Sequence, residues 1–513
     1  MSSQLRQGMV WLHTWAGVAI GALLFVIFWM GTLSVFDREI DRWMMPATRL
    51  SVPAHLPLLD ATVLPVAERL AGAAPRWSIR LPDERTPVFE LRYTDGAGRD
   101  VRRHLDPATG ALLPDAGSVG ANGFFFPFHF SLHLRAARLG YWLVGVAGMA
   151  MLVLLISGVI VHRRMFTDFF TFRPRRALPR ATLDLHNLTG VLALPFHFVV
   201  TLSGLVIFFS IYFPVAWQFA FADDAQPKLA CEREAFGRWQ RPKAGEPGAL
   251  ASLDAMLATA QAQWQGGRPY LVRIMHPRDA AAYVEVRRSV SGEVGMNLDI
   301  IHFDGASGAV LQRHTARPVM AVQRFVAGLH FIQFRHGLLR TLYFFAGLSG
   351  CVMIVTGLLF WLQARRGRHG RARGVRVVEA VTVAATCGTL IATLAFLIAN
   401  RLLPDMPARA TAEMQVFFAA WVVALAHAAC HGQRAWRVQS WAIGALALAA
   451  VVLNALTTGD HLAATLADGQ WAVAGVDGAL LVVAAVAAMV ARRPGRVVRA
   501  EVPAASATRV GGV

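Results

Sequence analysis

The sequence predicts a mainly α-helical polytopic membrane protein with about eight transmembrane helices and two small α+β domains outside the bilayer. Three observations predict it. Hydrophobic residues make up 55% of the 513 positions and charged residues only 16%, against about 25% charged in a soluble domain. Apolar stretches long enough to cross about 30 Å of hydrocarbon recur along the chain. Finally, the first 360 or so residues read as two copies of one pattern, helix–polar segment–helix.

The apolar stretches lie near 10–36, 140–162, 187–213, 341–363, 378–400, 412–432, 438–457 and 470–491. The first follows a short polar lead without a small-residue cleavage site, so it reads as a retained signal anchor. The formal charge of +18 first suggests a nucleic-acid partner. Its distribution excludes one. Arginines bunch at the ends of apolar runs, at Arg163–Arg180, Arg365–Arg376 and Arg492–Arg499, as in cytoplasmic loops of membrane proteins. Segments 163–180, 364–376, 433–437 and 492–513 are therefore expected inside, with both termini. The four cysteines form no Cys-x-x-Cys spacing, so neither a thiolate metal site nor a disulfide framework is expected.

The organisation that follows is helix 1 within 1–36, a first outer domain at 37–125, and helices 2 and 3 with their basic loop within 126–213. A second outer domain at 214–325, helix 4 within 326–366, helices 5–8 within 367–499 and a disordered tail at 500–513 complete it. In the first outer domain residues 60–73 read as helix, and Trp77–Leu81, Val88–Tyr93 and Val101–Leu105 as strands. In the second, 250–264 read as helix, and Tyr270–Met275, Ala282–Arg288 and Asn297–Phe303 as strands. Both finish on one motif, His104-Leu-Asp-Pro-Ala-Thr-Gly110 and His302-Phe-Asp-Gly-Ala-Ser-Gly308, whose Asp and Gly suit a tight turn.

The repeat continues into the membrane. Leu12-His13-Thr-Trp-Ala-Gly17 opens helix 1, and Leu185-His186-Asn-Leu-Thr-Gly190 opens helix 3. Gly31 and Gly204 each follow 18 residues after those histidines. Leu132-His133 precedes helix 2, which ends in Ser157-Gly158; Leu329-His330 precedes helix 4, which ends in Thr356-Gly357. Helices 1 and 3 run the same way, so the repeat is parallel, and no clear pair of broken helices marks a transporter.

His13 and His186 thus take equivalent inner positions, and His133 and His330 equivalent outer ones. A two-fold relation brings each pair face to face. Two facing imidazoles are the axial set of a b-type haem, so the four are candidate ligands of two bis-histidine haems, haem iron being the metal. Histidines near an interface also act as hydrogen-bonding anchors, and only the matched placing of all four favours ligation. His197, three turns beyond His186 and deep in the bilayer, is either a further ligand, part of an electron or proton path, or a neutral hydrogen-bonded core histidine. His129 stands four residues before His133, one face of a helix if helical, and is a ligand candidate. His162, followed by Arg163, reads first as an interfacial anchor and secondly as a propionate or iron ligand; His336 has the same standing. His427 and His431 lie in the unrepeated region. Asp477, inside helix 8, should face the bundle.

These motifs, with Leu194-Pro195-Phe196-His197 and Thr356-Gly357-Leu-Leu-Phe-Trp361, resemble the PepSY-associated transmembrane, or iron-regulated membrane protein, family over roughly residues 8–366. The outer domains look like PepSY domains. The resemblance implies a bacterial inner-membrane protein tied to iron acquisition, similar to haem-containing ferric-siderophore reductases, with His13, His133, His186 and His330 carried over by motif. Helices 5–8 depart from the simplest four-helix pattern.

The expectation is a haem b oxidoreductase, a ferric reductase, that passes electrons across the lipid bilayer to a periplasmic ferric siderophore or other iron chelate. With no Gly-rich dinucleotide motif, the donor is a quinol or a redox protein. The alternatives are a transporter or permease for iron or siderophore, and a regulatory membrane protein whose outer domains bind a peptide.

Overall fold

Hydrocarbon offers no water to backbone polar groups, so an apolar run must close its hydrogen bonds within itself. The computed structural model of the chain describes residues 3–162, 178–369 and 372–492. The chain is a mostly helical multi-pass membrane protein: among the described residues seven helical stretches are long and apolar enough to cross a membrane, or eight with one bent pair counted as a span.

The first copy runs α1 (Ser3–Ser34), α2 (Asp37–Met44), α3 (Leu59–Ala71), β1 (Arg76–Arg80), β2 (Phe89–Thr94), β3 (Asp100–Leu105), α4 (Gly120–Ser131) and α5 (Leu139–Val161). The second runs α6 (Leu178–Leu192), α7 (Leu194–Ile207), the short α8 (Phe209–Tyr212), α9 (Pro214–Ala220) and α10 (Pro227–Phe236), then α11 (Leu253–Gln263). It continues with β4 (Pro269–Met275), β5 (Tyr283–Arg288), β6 (Ile300–Asp304), β7 (Val310–His314), α12 (Pro318–Phe331) and α13 (Gly337–His369). The rest is helical: α14 (Arg373–Val383), a π-turn at Ala384–Gly388, α15 (Thr389–Leu402), α16 (Arg409–His431), α17 (Gln433–Thr458), α18 (Leu462–Ala467) and α19 (Trp471–Arg492).

The expected third span, 187–213, is not straight. It is the pair α6–α7, bent by 66°. Ala193 leaves helical geometry there (φ −103°, ψ 15°), and Pro195 opens α7 without an N–H to give. A broken helix is therefore present after all, though in one copy only. The reading of apolar runs also passed over α2, α4, α12 and strand β7; α2 and β7 are too short to carry a period, and α4 and α12 are too short to span. The basic segment 163–177 and everything from Arg493, the tail 500–513 included, lie outside the described residues.

The two polar segments do not stay apart. Their strands join in one antiparallel sheet, ordered β3-β2-β1-β4-β5-β6-β7, through pairing of β1 with β4 from Arg76↔Met275 to Arg80↔Leu271. One face is apolar: Ile79, Leu91, Val272, Ile274, Val284 and Phe303 pack under α3 and α11. The same two helices cap each other. Asp254 accepts from the backbone N–H of Leu59 and Asp60, both at 2.9 Å, while Asp60 accepts from Leu253 N–H at 2.8 Å and from the Ser252 hydroxyl. Each carboxylate satisfies orphan donors at the other helix's N-terminus. The two turns match as well. Asp106 accepts from Ala108 and Thr109 N–H, and Asp304 from Ala306 and Ser307 N–H. Gly110 (φ 71°) and Gly308 (φ 72°) take the left-handed turn position that follows.

In the membrane α1 packs on α5 and α4 as the α6–α7 pair packs on α13 and α12. The unrepeated helices cover α2 and α4. Phe124 stacks on Phe396 at 4.7 Å, and Phe417 meets it edge-on at 4.9 Å. Asp477 does face the bundle, accepting from Trp43 Nε1 at 2.8 Å and Asn454 Nδ2 at 3.2 Å.

Candidate functional site

Four imidazoles obey one local rule. His13 on α1 lies against Gly158 of α5, and its Nδ1 is 3.1 Å from the Leu154 carbonyl oxygen. His186 on α6 lies against Gly357 of α13, with Nδ1 2.8 Å from the Met353 oxygen. His129 on α4 lies against Gly31 of α1, with Nδ1 2.8 Å from the Ile27 oxygen. His330 on α12 lies against Gly204 of α7, with Nδ1 2.7 Å from the Val200 oxygen. In every case the acceptor is the carbonyl four residues before the glycine. A Cβ on these glycines would stand 2.7–3.3 Å from the nearest ring atom, so only glycine lets the ring settle on the neighbouring backbone. A carbonyl only accepts. Nδ1 of His129 and His186 therefore carries the proton, and Nε2 keeps its free lone pair. His13 and His330 also meet the Ser157 and Ser203 hydroxyls at 3.0 and 3.3 Å, and because those hydroxyls donate to the Leu154 and Val199 carbonyls, the same tautomer serves there.

The four rings meet as two pairs. His13 and His186 have centroids 6.2 Å apart at an interplanar angle of 74°. His129 and His330 have centroids 5.8 Å apart at 30°. The second pair borders a cavity of ~690 Å³ between the membrane helices and the sheet. Gly31, Gly148, Gly204 and Gly347 line it on the membrane side, and Arg38, Arg80, Arg287 and Arg324 toward the sheet.

His133 does not face His330, as the spacing had suggested. Its ring stacks on Phe124 at 4.9 Å and 14°, and its Nε2 donates to the Phe124 carbonyl oxygen at 3.0 Å. The cause is local. α4 stops at Ser131, and Leu132 and His133 take left-handed geometry (φ 51° and 53°), which turns His133 away from the face that carries His129. The true match was His129-Phe130 with His330-Phe331, a signal visible in the sequence but masked by the neighbouring Leu-His dipeptides.

His197 is fully buried beside Phe28 and Phe196, and neither ring nitrogen has a hydrogen-bond partner; one turn on, the Thr201 hydroxyl is also unpartnered. His162 caps α5. His336 is exposed. His427 and His431 stack on each other at 4.4 Å on the exposed side of α16.

A second repeated device, not singled out by the spacing of the Leu-His motifs, lies on the sheet's polar face. Glu90 stands cross-strand from His104, and Glu285 from His302, at 3.8 and 3.7 Å. Arg92 and Arg287, two residues on, pair with the glutamates. Burial pushes the Glu285 carboxyl up, but His302, Arg287 and Arg273 outweigh it and hold it down at about 2. The Glu-x-Arg dyads ahead of the His-x-Asp turn were the available signal.

The sequence profile described as PepSY-associated TM region matches residues 10–364. The chain belongs to the PepSY-associated transmembrane family. The matched region contains both histidine pairs and the whole sheet and ends inside α13, so helices α14–α19 lie beyond it. An uncharacterised protein of Pseudomonas aeruginosa is 29% identical over 305 residues, 56% of this chain and 74% of the relative.

Proposed function

We propose that this PepSY-associated membrane protein is a two-haem electron carrier of the bacterial inner membrane, with cytoplasmic termini and the sheet in the periplasm, which reduces a ferric chelate there. The observation that supports it is the repeated setting of the four histidines, each with Nδ1 committed to a backbone carbonyl and Nε2 free. Second-shell hydrogen bonds of this kind orient metal-bound imidazoles and raise their basicity. The spacing suits the group: iron bonded to both Nε2 atoms at the roughly 2 Å typical of metal–imidazole bonds sets ring centroids about 6 Å apart. His13 with His186 would hold one haem, and His129 with His330 the other, where the ~690 Å³ cavity and its four glycines leave room for a flat macrocycle. Haem at the two pairs supplies one-electron chemistry at both ends of the span, a route from a quinol or redox protein to the chelate.

The protein's own residues do the rest. The glycine cradles fix ring position, the carbonyls fix tautomer, and the arginines of the cavity wall face the side where anionic groups arrive. The test is the absorption spectrum of purified protein, oxidised and dithionite-reduced, with the haem-to-protein ratio. A sharp reduced α-band at two haems per chain is expected. Colourless protein from haem-replete cells would overturn the reading; the 66° break in α6–α7 would then favour transport of the chelate.

A further inference from the structure

We propose that the sheet's polar face carries a separate binding site for a small aromatic anion, of the aryl carboxylate class. The site is a cavity of ~350 Å³, within the range of small-ligand pockets. Only one copy of the repeat builds it. The connection from α1 to α3 runs over 35–58 and contains α2, whereas that from α7 to α11 runs over 208–252 and contains α8, α9 and α10. This added segment folds back over β4 and β5. Gly237 ends α10 with φ 65°, and a side chain there would strike the His314 ring, so the reversal that returns Trp239 to the sheet depends on it.

The walls combine two chemistries. Trp217, Phe236, Trp239 and Tyr283 give an aromatic lining, with Trp239 edge-on to Tyr283 at 4.8 Å and 89°. Five cations, Arg76, Lys228, Arg238, Arg273 and Arg287, stand against two carboxylates, Glu232 and Glu285. Both carboxylates are already engaged, Glu232 by Arg238 and Lys228, Glu285 by Arg273 and Arg287. Arg76, an exposed residue of the lining, makes no ion pair with a carboxylate among the described residues. An uncompensated guanidinium beside aromatic faces recognises a planar anion by charge and by stacking together. Arg287 lines both this cavity and the one that holds His129 and His330, so the two share a wall at the sheet. The site stands whether or not the histidines hold haem.

The experiment is calorimetric titration of the full chain in phosphatidylcholine nanodiscs with 2,3-dihydroxybenzoate. Phenol, which lacks the charge, and cyclohexanecarboxylate, which lacks the ring, serve as controls. Saturable binding that weakens with salt is expected, with both controls at least tenfold weaker. Arg76→Gln and Trp217→Leu, both in the lining, should each weaken binding roughly tenfold, the scale of one charge-assisted or stacking contact. No saturable heat up to millimolar probe, equal binding of either control, or wild-type affinity in both variants would overturn the proposal.

Discussion

Replacing Gly31 by alanine tests the histidine cradle at its tightest point. The added Cβ would stand 2.7 Å from His129 Cε1 and 2.8 Å from Nδ1. Ordinary contact begins near 3.4 Å, so the ring must withdraw by about 0.7 Å. The 2.8 Å hydrogen bond to the Ile27 oxygen would stretch to about 3.5 Å and fail. Losing it costs about 1 kcal/mol, and overpacking adds about 1–3 kcal/mol. Together, about 2–4 kcal/mol lowers haem affinity at that pair by roughly 30- to 1,000-fold. Gly17→Ala is the control, because its Cβ would meet Leu154 Cδ2 at an ordinary 3.8 Å. The assay is haem per chain and the reduced α-band of purified protein. Wild type and Gly17→Ala should hold two haems and Gly31→Ala one. Two haems and an unchanged band in Gly31→Ala, or equal loss in Gly17→Ala, would refute the cradle argument while leaving the haem reading intact.

Other outcomes follow from the same geometry. His129→Ala should lose one haem and His133→Ala none, read from the pyridine haemochrome; the reverse would restore the pairing that the Leu-His spacing first suggested. His197→Leu should keep both haems, since no second histidine faces its ring among the described residues. Asp477→Leu strands Trp43 Nε1 in the bundle and leaves Asn454 Nδ2 only the Asp460 carbonyl; a loss of about 1–3 kcal/mol should appear as a lower midpoint in thermal unfolding, with Asp477→Asn milder. Burial pushes the Asp41 carboxyl of α2 up to about 7. The folded state then binds a proton that the unfolded chain releases near pH 4, so stability falls as pH rises from about 4 to 7. Asp41→Asn should flatten that slope, and an unchanged pH profile of the thermal midpoint would count against a buried Asp41.

Much of the fold was legible because the physics that sets it is local. Each spanning helix needs only an apolar run, and six of the seven strands alternate visibly. The joining of the two polar segments was not legible. It depends on β1 meeting β4 across nearly 200 residues and on Asp60 and Asp254 exchanging caps, and no window of sequence contains either event. The break at Ala193 had a visible cue in Pro195, which stands inside the apolar stretch 187–213, where a missing N–H kinks a helix. The outer pair went astray on one residue-level fact: whether α4 continues past Ser131. Leu132 and His133 in left-handed geometry answer it, and nothing in their side chains announces that geometry.

The 18-residue interval between histidine and glycine is the part of the site that the sequence stated most directly, and helix geometry says why. Eighteen residues at 100° each make five full turns, so His13 and Gly31 lie on one face of α1 about 27 Å apart, close to the thickness of the hydrocarbon. One helix thus offers an imidazole to the pair at one end and a cradle to the pair at the other. The second copy keeps the interval between His186 and Gly204 but spends it across the α6–α7 bend, so its two ends need not share a straight axis. The asymmetry has a consequence within the bend. At the same interval of 11 residues where α1 carries Leu24, the second copy carries His197; four further on, Phe28 is answered by Thr201. Both polar side chains are buried without partners, so the two-fold pattern that accounts for the four paired histidines does not account for these two.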